Sequence, residues 1–369
     1  MATLPETVVR PVRRVMPMAV DGGLLAVDLL LVAFAGGAIG AAVGGYAAYG
    51  LAGLTITIGE IARVTTDGGG TSLVSGSADL GTAGVTGLVG YGPVLGPHVA
   101  FAGAAAAAAF AGRKGHLDTD FPYHEAKHLS TPLGPRPAAL AVGGVFGILG
   151  YWLAQLSLRL ALPWDPVAAS VVVSALLHRA VFGYSLVGRL DTDVLDMSPY
   201  EDGDRRMATD GDGEGAQSLV GRYVVEPWLS YQSEWAVVTV LGLVVGVFGG
   251  FLAVATGSYF LAFGIAATGM LFLTAGVERF PVTHHMALPA GIAALAVPNA
   301  TPVVAVLVGG GFGVLGGVLG ELAQRVAYAH ADTHFDPPSA SIVLTTLLVA
   351  VLDIAGVFQQ AGVPTLGLA

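Results

Sequence analysis

The sequence predicts an all-α protein: a polytopic helical membrane protein of about eight transmembrane helices in two parallel four-helix repeats. Three observations predict it. Hydrophobic residues make up 54% of the 369 and charged residues only 11%, where a soluble domain carries about 25% charged. Apolar runs of about 20 residues, the length that crosses a hydrocarbon core, recur along the chain. The chain also repeats itself. Trp164-Asp165-Pro166-Val167-Ala168-Ala169-Ser170 and the apolar run after it return as Phe335-Asp336-Pro337-Pro338-Ser339-Ala340-Ser341 and a second apolar run.

Residues 1–23 read as a cytoplasmic N-terminal segment, with Arg10, Arg13 and Arg14 ahead of an apolar stretch. A signal peptide needs a short apolar region and a small-residue cleavage site. This stretch runs on past Gly50, so a retained first helix is expected, over 24–50 with an interfacial extension to 62. A Gly/Ser/Thr-rich loop follows at 65–86, then spans at 96–112, 138–162 and 166–187. The first repeat is thus 24–190. An acidic flexible cytoplasmic linker occupies 191–234, its Gly, Asp and Glu content being too polar to bury. The second repeat, 235–369, holds spans at 235–255, 258–276, 302–326 and 338–358. The apolar piece 288–297 is too short to cross and reads as re-entrant or interfacial.

Alternating these spans from a cytoplasmic N-terminus puts the basic residues of 113–136 and 189–222, with Arg279, on the inner side, and Arg63, Arg159 and Arg325 on the outer. That bias satisfies the positive-inside rule and leaves both termini of a multi-pass cell-membrane protein in the cytoplasm. With four spans per half the repeats are parallel, and both Asp-Pro blocks face outward.

The net charge is −10, the only lysines are Lys114 and Lys127, and Cys is absent. This balance resembles proteins adapted to high salt, where excess surface acid maintains solubility. It disfavours nucleic acid as a partner. Without Cys there are no disulfides, thiolate metal sites or Cys nucleophiles. Gly68-Gly69-Gly70 lies in a polar loop with no phosphate-binding lysine, so nucleotide binding has no support.

Small-residue stripes mark four spans: Gly36, Gly40 and Gly44; Gly143, Gly147 and Gly150; Gly242, Gly246 and Gly249; Gly309, Gly313 and Gly316. In lipid, close backbone approach is what packs helices together. The same faces are also expected to leave room for a substrate path. Asp165 and Asp336 suit N-cap positions, with Pro166 and Pro337 at the first helical position and Ser170 and Ser341 one turn in. Capping alone explains them. Their functional reading is an outer vestibule of Asp165, Ser170, Asp336 and Ser341.

His124-Glu125-Ala126-Lys127-His128 fits the HExxH pattern, in which two His at i and i+4 of one helix hold zinc and the Glu serves as base. His124, Glu125 and His128 are therefore the metal-ligand candidates and a divalent metal ion the candidate cofactor. Pro122 and Pro132 leave little room for the helix, and a solvated polar loop is the plain alternative. His330, Asp332, His334 and Asp336 form a second polar cluster, expected outside. Phe121-Pro122-Tyr123-His124 matches Phe280-Pro281-Val282-Thr283-His284 on the inner side.

Ionisable residues inside spans usually face a bundle interior or water. His178, Arg179 and Glu321 lie deepest, and Gln155 holds the position of Glu321 in the other repeat. These four are the expected pathway residues; an internal packing pair is the alternative. The leading expectation is thus a permease or channel-like transporter moving a small solute or ion between two pseudo-symmetric halves, in contact with lipid and compatible with a homo-oligomer. The alternatives are a membrane-bound zinc metalloprotease-like enzyme and a non-catalytic membrane scaffold subunit.

Overall fold

The computed structural model describes residues 24–66, 84–117, 121–207 and 220–368. The predicted loop 65–86 and the arginines of the N-terminal segment fall largely outside them, as does part of the acidic linker. The described chain is all-helical, its one β contact being an isolated bridge between Arg205 and Tyr223. The helices are α1 (Val27–Val43), α2 (Gly45–Thr66), α3 (Ala100–Arg113), α4 (Pro137–Arg159), α5 (Pro166–Phe182), the single turn α6 (Ser198–Glu201), α7 (Trp235–Thr256), α8 (Tyr259–Thr268), α9 (Met270–Thr274), α10 (His284–Leu295), α11 (Pro302–Ala327) and α12 (Pro337–Ile354). Four of these, α4, α7, α11 and α12, are long and apolar enough to cross a membrane.

Two predicted elements resolve differently. The first span breaks at Gly44, whose φ of 96° is open to glycine and strained for other residues, so the chain turns back as α2. The piece read as interfacial belongs to α10, whose residues 284–294 are all buried. Its Ala and Gly content lets it thread between neighbours, which an apolar-run length cannot reveal.

The glycine stripes are packing faces. α1 lies antiparallel on α4, with Gly37 against Gly143 and Ala33 against Gly147. α7 lies antiparallel on α11 in the same way, with Gly246 against Gly309 and Gly242 against Gly313. A methyl group added at any of these glycines would overlap the facing backbone. The expectation that they line a path is corrected: the stripes are closed against each other, helix to helix.

α5 and α12 run antiparallel across the middle. The backbone N–H of Asp165, at the start of α5, donates to Thr346 in the C-terminal half of α12. Asp336, at the start of α12, lines a cavity with Ser174 and His178 in the C-terminal half of α5. The two Asp-Pro starts therefore lie at opposite ends of the pair. This corrects the parallel arrangement, which put both on one face.

One end of the bundle gathers the described parts of the polar segment, 183–207 and 220–234. Arg222 pairs with Asp332, the Glu226 N–H donates to Ala329 O, and Arg325 holds Leu195 O and Ser233 O. The loop 328–336, expected opposite this segment, packs on it instead. At the other end, Leu24 O accepts from the Trp152 indole N–H on α4 and the Leu366 N–H donates to Ala161 O just beyond α4. Both ends of the described chain thus lie away from the polar segment. A shared core that includes Tyr49, Phe101, Val171, Phe263, Leu288 and Ile342 draws on α2, α3, α5, α8, α10 and α12 and joins the two parts of the chain.

Candidate functional site

The site is built on the two helix starts. Asp165 Oδ1 accepts from the Ala168 N–H at 2.7 Å, the N-cap bond, and Oδ2 accepts from the Tyr91 hydroxyl at 2.9 Å. Asp336 Oδ2 accepts from the Ser339 N–H at 2.9 Å and from its hydroxyl at 2.5 Å. Each cap contributes about 1 kcal/mol to its helix. The expected outer vestibule does not form. Asp165 is 1% and Asp336 3% exposed. The hydroxyls of Ser170 and Ser341 donate to Pro166 O and Gly316 O, as helix-internal and helix-to-helix bonds.

Histidines surround Asp336. His334 Nε2 lies 3.6 Å from Asp336 Oδ1, just beyond hydrogen-bond distance. His334, His178, Ser174 and Asp336 line a small cavity. His284 heads α10 and packs its ring on Tyr49 with centroids 4.6 Å apart. The adjacent His285 lies 5.8 Å from His284, ring to ring, and lines a second small cavity with Glu321 and Gln324. Both ring nitrogens of His284 and of His334 lack a hydrogen-bond partner, as do Nδ1 of His178 and His285 and the Ser174 hydroxyl. Leaving a buried polar group unpaired costs about 1–3 kcal/mol, so this concentration of imidazoles calls for an explanation.

Of the four expected pathway residues, His178 joins this cluster and its Nε2 meets Thr333 Oγ1 at 3.1 Å. Glu321 reaches the second cavity, held by Arg325 at 2.6 Å and Gln324 at 3.0 Å. Arg179 is corrected to a clamp. Its guanidinium donates to Thr333 Oγ1, Leu186 O, Ala327 O and Thr333 O and stacks over Phe335, so four of its five N–H donors are spent on the protein's own oxygens. Gln155 is half-buried on α4 and lines neither cavity.

Sequence reasoning matched His284 with His124 on the inner side. In the structure His98 is the counterpart of His285: the His98 carbonyl abuts Gly150 as the His285 carbonyl abuts Gly316. The signal was present in His98-Val99-Ala100-Phe101 and His285-Met286-Ala287-Leu288. Tyr49 and Tyr91 carried no sequence signal, since an aromatic in an apolar run reads as core.

The HExxH segment forms only a short 3₁₀ turn, Glu125–Lys127. His124 Nδ1 accepts from the Ala126 N–H at 3.1 Å, while His128 stacks on Phe121 and meets Thr131 Oγ1 at 2.9 Å. The two rings are thus turned to separate local partners, which corrects the i, i+4 helical face that zinc needs. Among the described residues no three His, Cys, Asp or Glu side chains converge to hold a metal ion.

That segment instead supplies Lys127 to a buried ionic clasp. Lys127 Nζ meets Glu226 Oε2 at 2.8 Å, Arg222 meets Glu226 Oε1 at 2.8 Å, and Arg222 reaches Asp332 at 3.2 Å. Burial lowers the Lys127 ammonium to about 8 in spite of Glu226. Burial would raise the Glu226 carboxyl, but Lys127 and Arg222 outweigh it and hold the carboxyl below its ordinary value. Burial, then the Arg222 charge, lowers His124 to about 4, so it is neutral at pH 7.

A family of unknown function, DUF7973, has a model that matches residues 19–366. The chain belongs to this family. The match spans both helix starts, both cavities and the clasp, so the family extends over the whole site. No curated protein and no solved structure matches the chain.

Proposed function

We propose that this chain is a multi-pass membrane permease or channel-like transporter, moving a small solute or ion between two pseudo-symmetric halves. The halves are α1–α5 and α7–α12, with α8 and α9 read as one bent crossing. Their matching contacts support this: α1 on α4 repeats as α7 on α11, and His98 at Gly150 repeats as His285 at Gly316. Five crossings per half make the repeats inverted, the arrangement in which transporters place a site near the midplane at discontinuous helix starts. The face carrying Arg113, Lys114, Arg136 and Arg189 is then cytoplasmic by the positive-inside rule, and both ends of the described chain, Leu24 and Leu368, lie toward the opposite face.

The single observation that carries the reading is the antiparallel α5–α12 pair, with two buried, capped carboxylates at its ends and unpartnered imidazoles at one of them. Buried ionisable groups inside a membrane bundle are costly and mark pathways. The test is flux. The purified full chain in lipid vesicles should pass at least one member of a panel of inorganic ions and small organic solutes faster than empty vesicles do. Silence across the panel, with the protein shown to be inserted, would leave the scaffold reading in its place.

A further inference from the structure

We propose that the small cavity lined by Ser174, His178, His334 and Asp336 binds a single ammonium ion, and that ammonium is the cargo of the permease. The proposal rests on the permease reading and names its substrate.

The wall of this cavity carries polar atoms that the protein leaves unused. The Ser174 hydroxyl, Nδ1 of His178 and both ring nitrogens of His334 lack a hydrogen-bond partner. All three side chains line one cavity with Asp336, and all are enclosed: Ser174 and His334 are 1% exposed and His178 is 0%. Asp336 divides its carboxylate between two tasks. Oδ2 accepts from the Ser339 N–H and hydroxyl and so answers the free amides of the α12 start. Oδ1 faces His334 Nε2 across 3.6 Å, close enough that one small ion can touch both. Among the described residues no lysine or arginine pairs with this carboxylate. Arg179, beside His178 on α5, spends its donors on Thr333, Leu186 and Ala327 instead. A buried carboxylate calls for a counter-charge.

The chemistry of the wall selects the ion. A carboxylate oxygen, a hydroxyl and imidazole lone pairs all accept from N–H donors, and ammonium brings N–H donors in every direction together with a positive charge. His178 offers Nδ1 as an acceptor when its proton sits on Nε2 and is shared with Thr333 Oγ1 at 3.1 Å. Sodium and other hard cations take oxygen ligands, whereas most of the unused atoms here are nitrogens. A transition metal needs several protein ligands drawn together, and among the described residues no three His, Cys, Asp or Glu converge. Size sets the last limit. The cavity holds about one molecule the size of water, which admits ammonium and excludes a larger amine or a hydrated ion. The rest of its wall is apolar, from Phe101, Ala102, Ala105, Val171 and Ala175. In such surroundings a carboxylate–ammonium contact is stronger than in water. A water molecule fits the space but leaves the charge of Asp336 unanswered.

The full chain is melted in detergent while ammonium chloride replaces potassium chloride at constant total salt. A ligand that binds only the folded state raises the melting temperature as its concentration passes its Kd. Wild type should rise with ammonium and stay level when sodium takes its place. Asp336→Asn keeps the helix cap and should need about a hundredfold more ammonium for the same rise. Ser174→Ala removes a hydroxyl that bonds to nothing in the protein. Its melting temperature without ammonium should therefore hold, while its ammonium requirement grows about tenfold. Gly311→Ala, away from the cavity, should respond as wild type does. In vesicles fused to a solid-supported membrane, an ammonium jump should drive a current, which ammonia crossing the lipid by itself does not. No rise with ammonium beyond that with sodium, or equal responses in wild type and both folded cavity variants, would overturn the proposal. So would a current or flux from another solute of the panel with none from ammonium, a result that leaves the permease reading standing. If nothing in the panel crosses, ammonium included, the permease reading falls and takes this proposal with it.

Discussion

The Lys127 ammonium and the Glu226 carboxylate meet at 2.8 Å across ninety-nine residues of sequence, with side-chain exposures of 0% and 1%. The pair ties the turn before α4 to the segment before α7. Breaking a buried pair by removing one partner strands the other charge. Glu226→Gln should therefore destabilise the protein by about 3–5 kcal/mol, read as a shift in denaturant midpoint in detergent. The double variant Lys127→Met, Glu226→Met should recover most of the loss. A Glu226→Gln protein with an unchanged midpoint would show that the pair contributes nothing net.

The same pair sets a pH dependence. The folded Glu226 carboxyl lies below its ordinary value of 4.5, so its stabilisation is present above 4.5 and is lost as pH falls below that value. Lys127 behaves in the opposite sense. Its folded value of about 8 lies below the ordinary 10.5, so the unfolded chain binds the extra proton between them and this group's contribution rises with pH across that window. Melting temperature against pH should fall on the acid side in wild type and fall less in Glu226→Gln. The alkaline rise should vanish in Lys127→Met.

Glycine substitutions should separate packing from propensity. A methyl at Gly150 would overlap the His98 carbonyl, whereas one at Gly311 meets nothing within 4 Å. Gly150→Ala should cost about 1–3 kcal/mol or more. Gly311→Ala should be neutral or stabilising by up to about 1 kcal/mol, because Ala is the better helix former. Comparable melting temperatures for the two variants would contradict the close helix contacts.

The sense of the repeats can be read by labelling, since the chain has no Cys of its own. Single cysteines at Leu160, Val357 and Leu186, which are 55%, 62% and 51% exposed, report on both ends of the bundle. A membrane-impermeant thiol reagent should reach Leu160→Cys and Val357→Cys from one side and Leu186→Cys from the other. Parallel repeats would instead pair Val357 with Leu186.

Helical class was legible because apolar runs and Pro or Asp starts are local signals. Predicted spans at 138–162, 235–255 and 302–326 lie within three residues of α4, α7 and α11. Crossing number was less legible, because it turned on Gly44 and α10. A single glycine reverses the chain within one apolar run, and α10 is twelve residues long, shorter than any free-standing span. Under the ten-crossing reading proposed above, one further crossing per half makes the halves inverted rather than parallel. At the site, Asp165 and Asp336 were visible as caps, but their burial was not, because a capped start looks the same at a membrane surface as in a core. Arg179 looked like a pathway group because an isolated charge in an apolar run has no visible partners. Its acceptors, Leu186, Ala327 and Thr333, are backbone or loop groups distant in sequence.

The head-past-head overlap of α5 and α12 also ties the fate of each half to the other. The amide of Asp165 finds its acceptor only on α12, and Asp336 is walled in by α5. Cut apart, each part of the chain would lose the contact that the other supplies at its helix start.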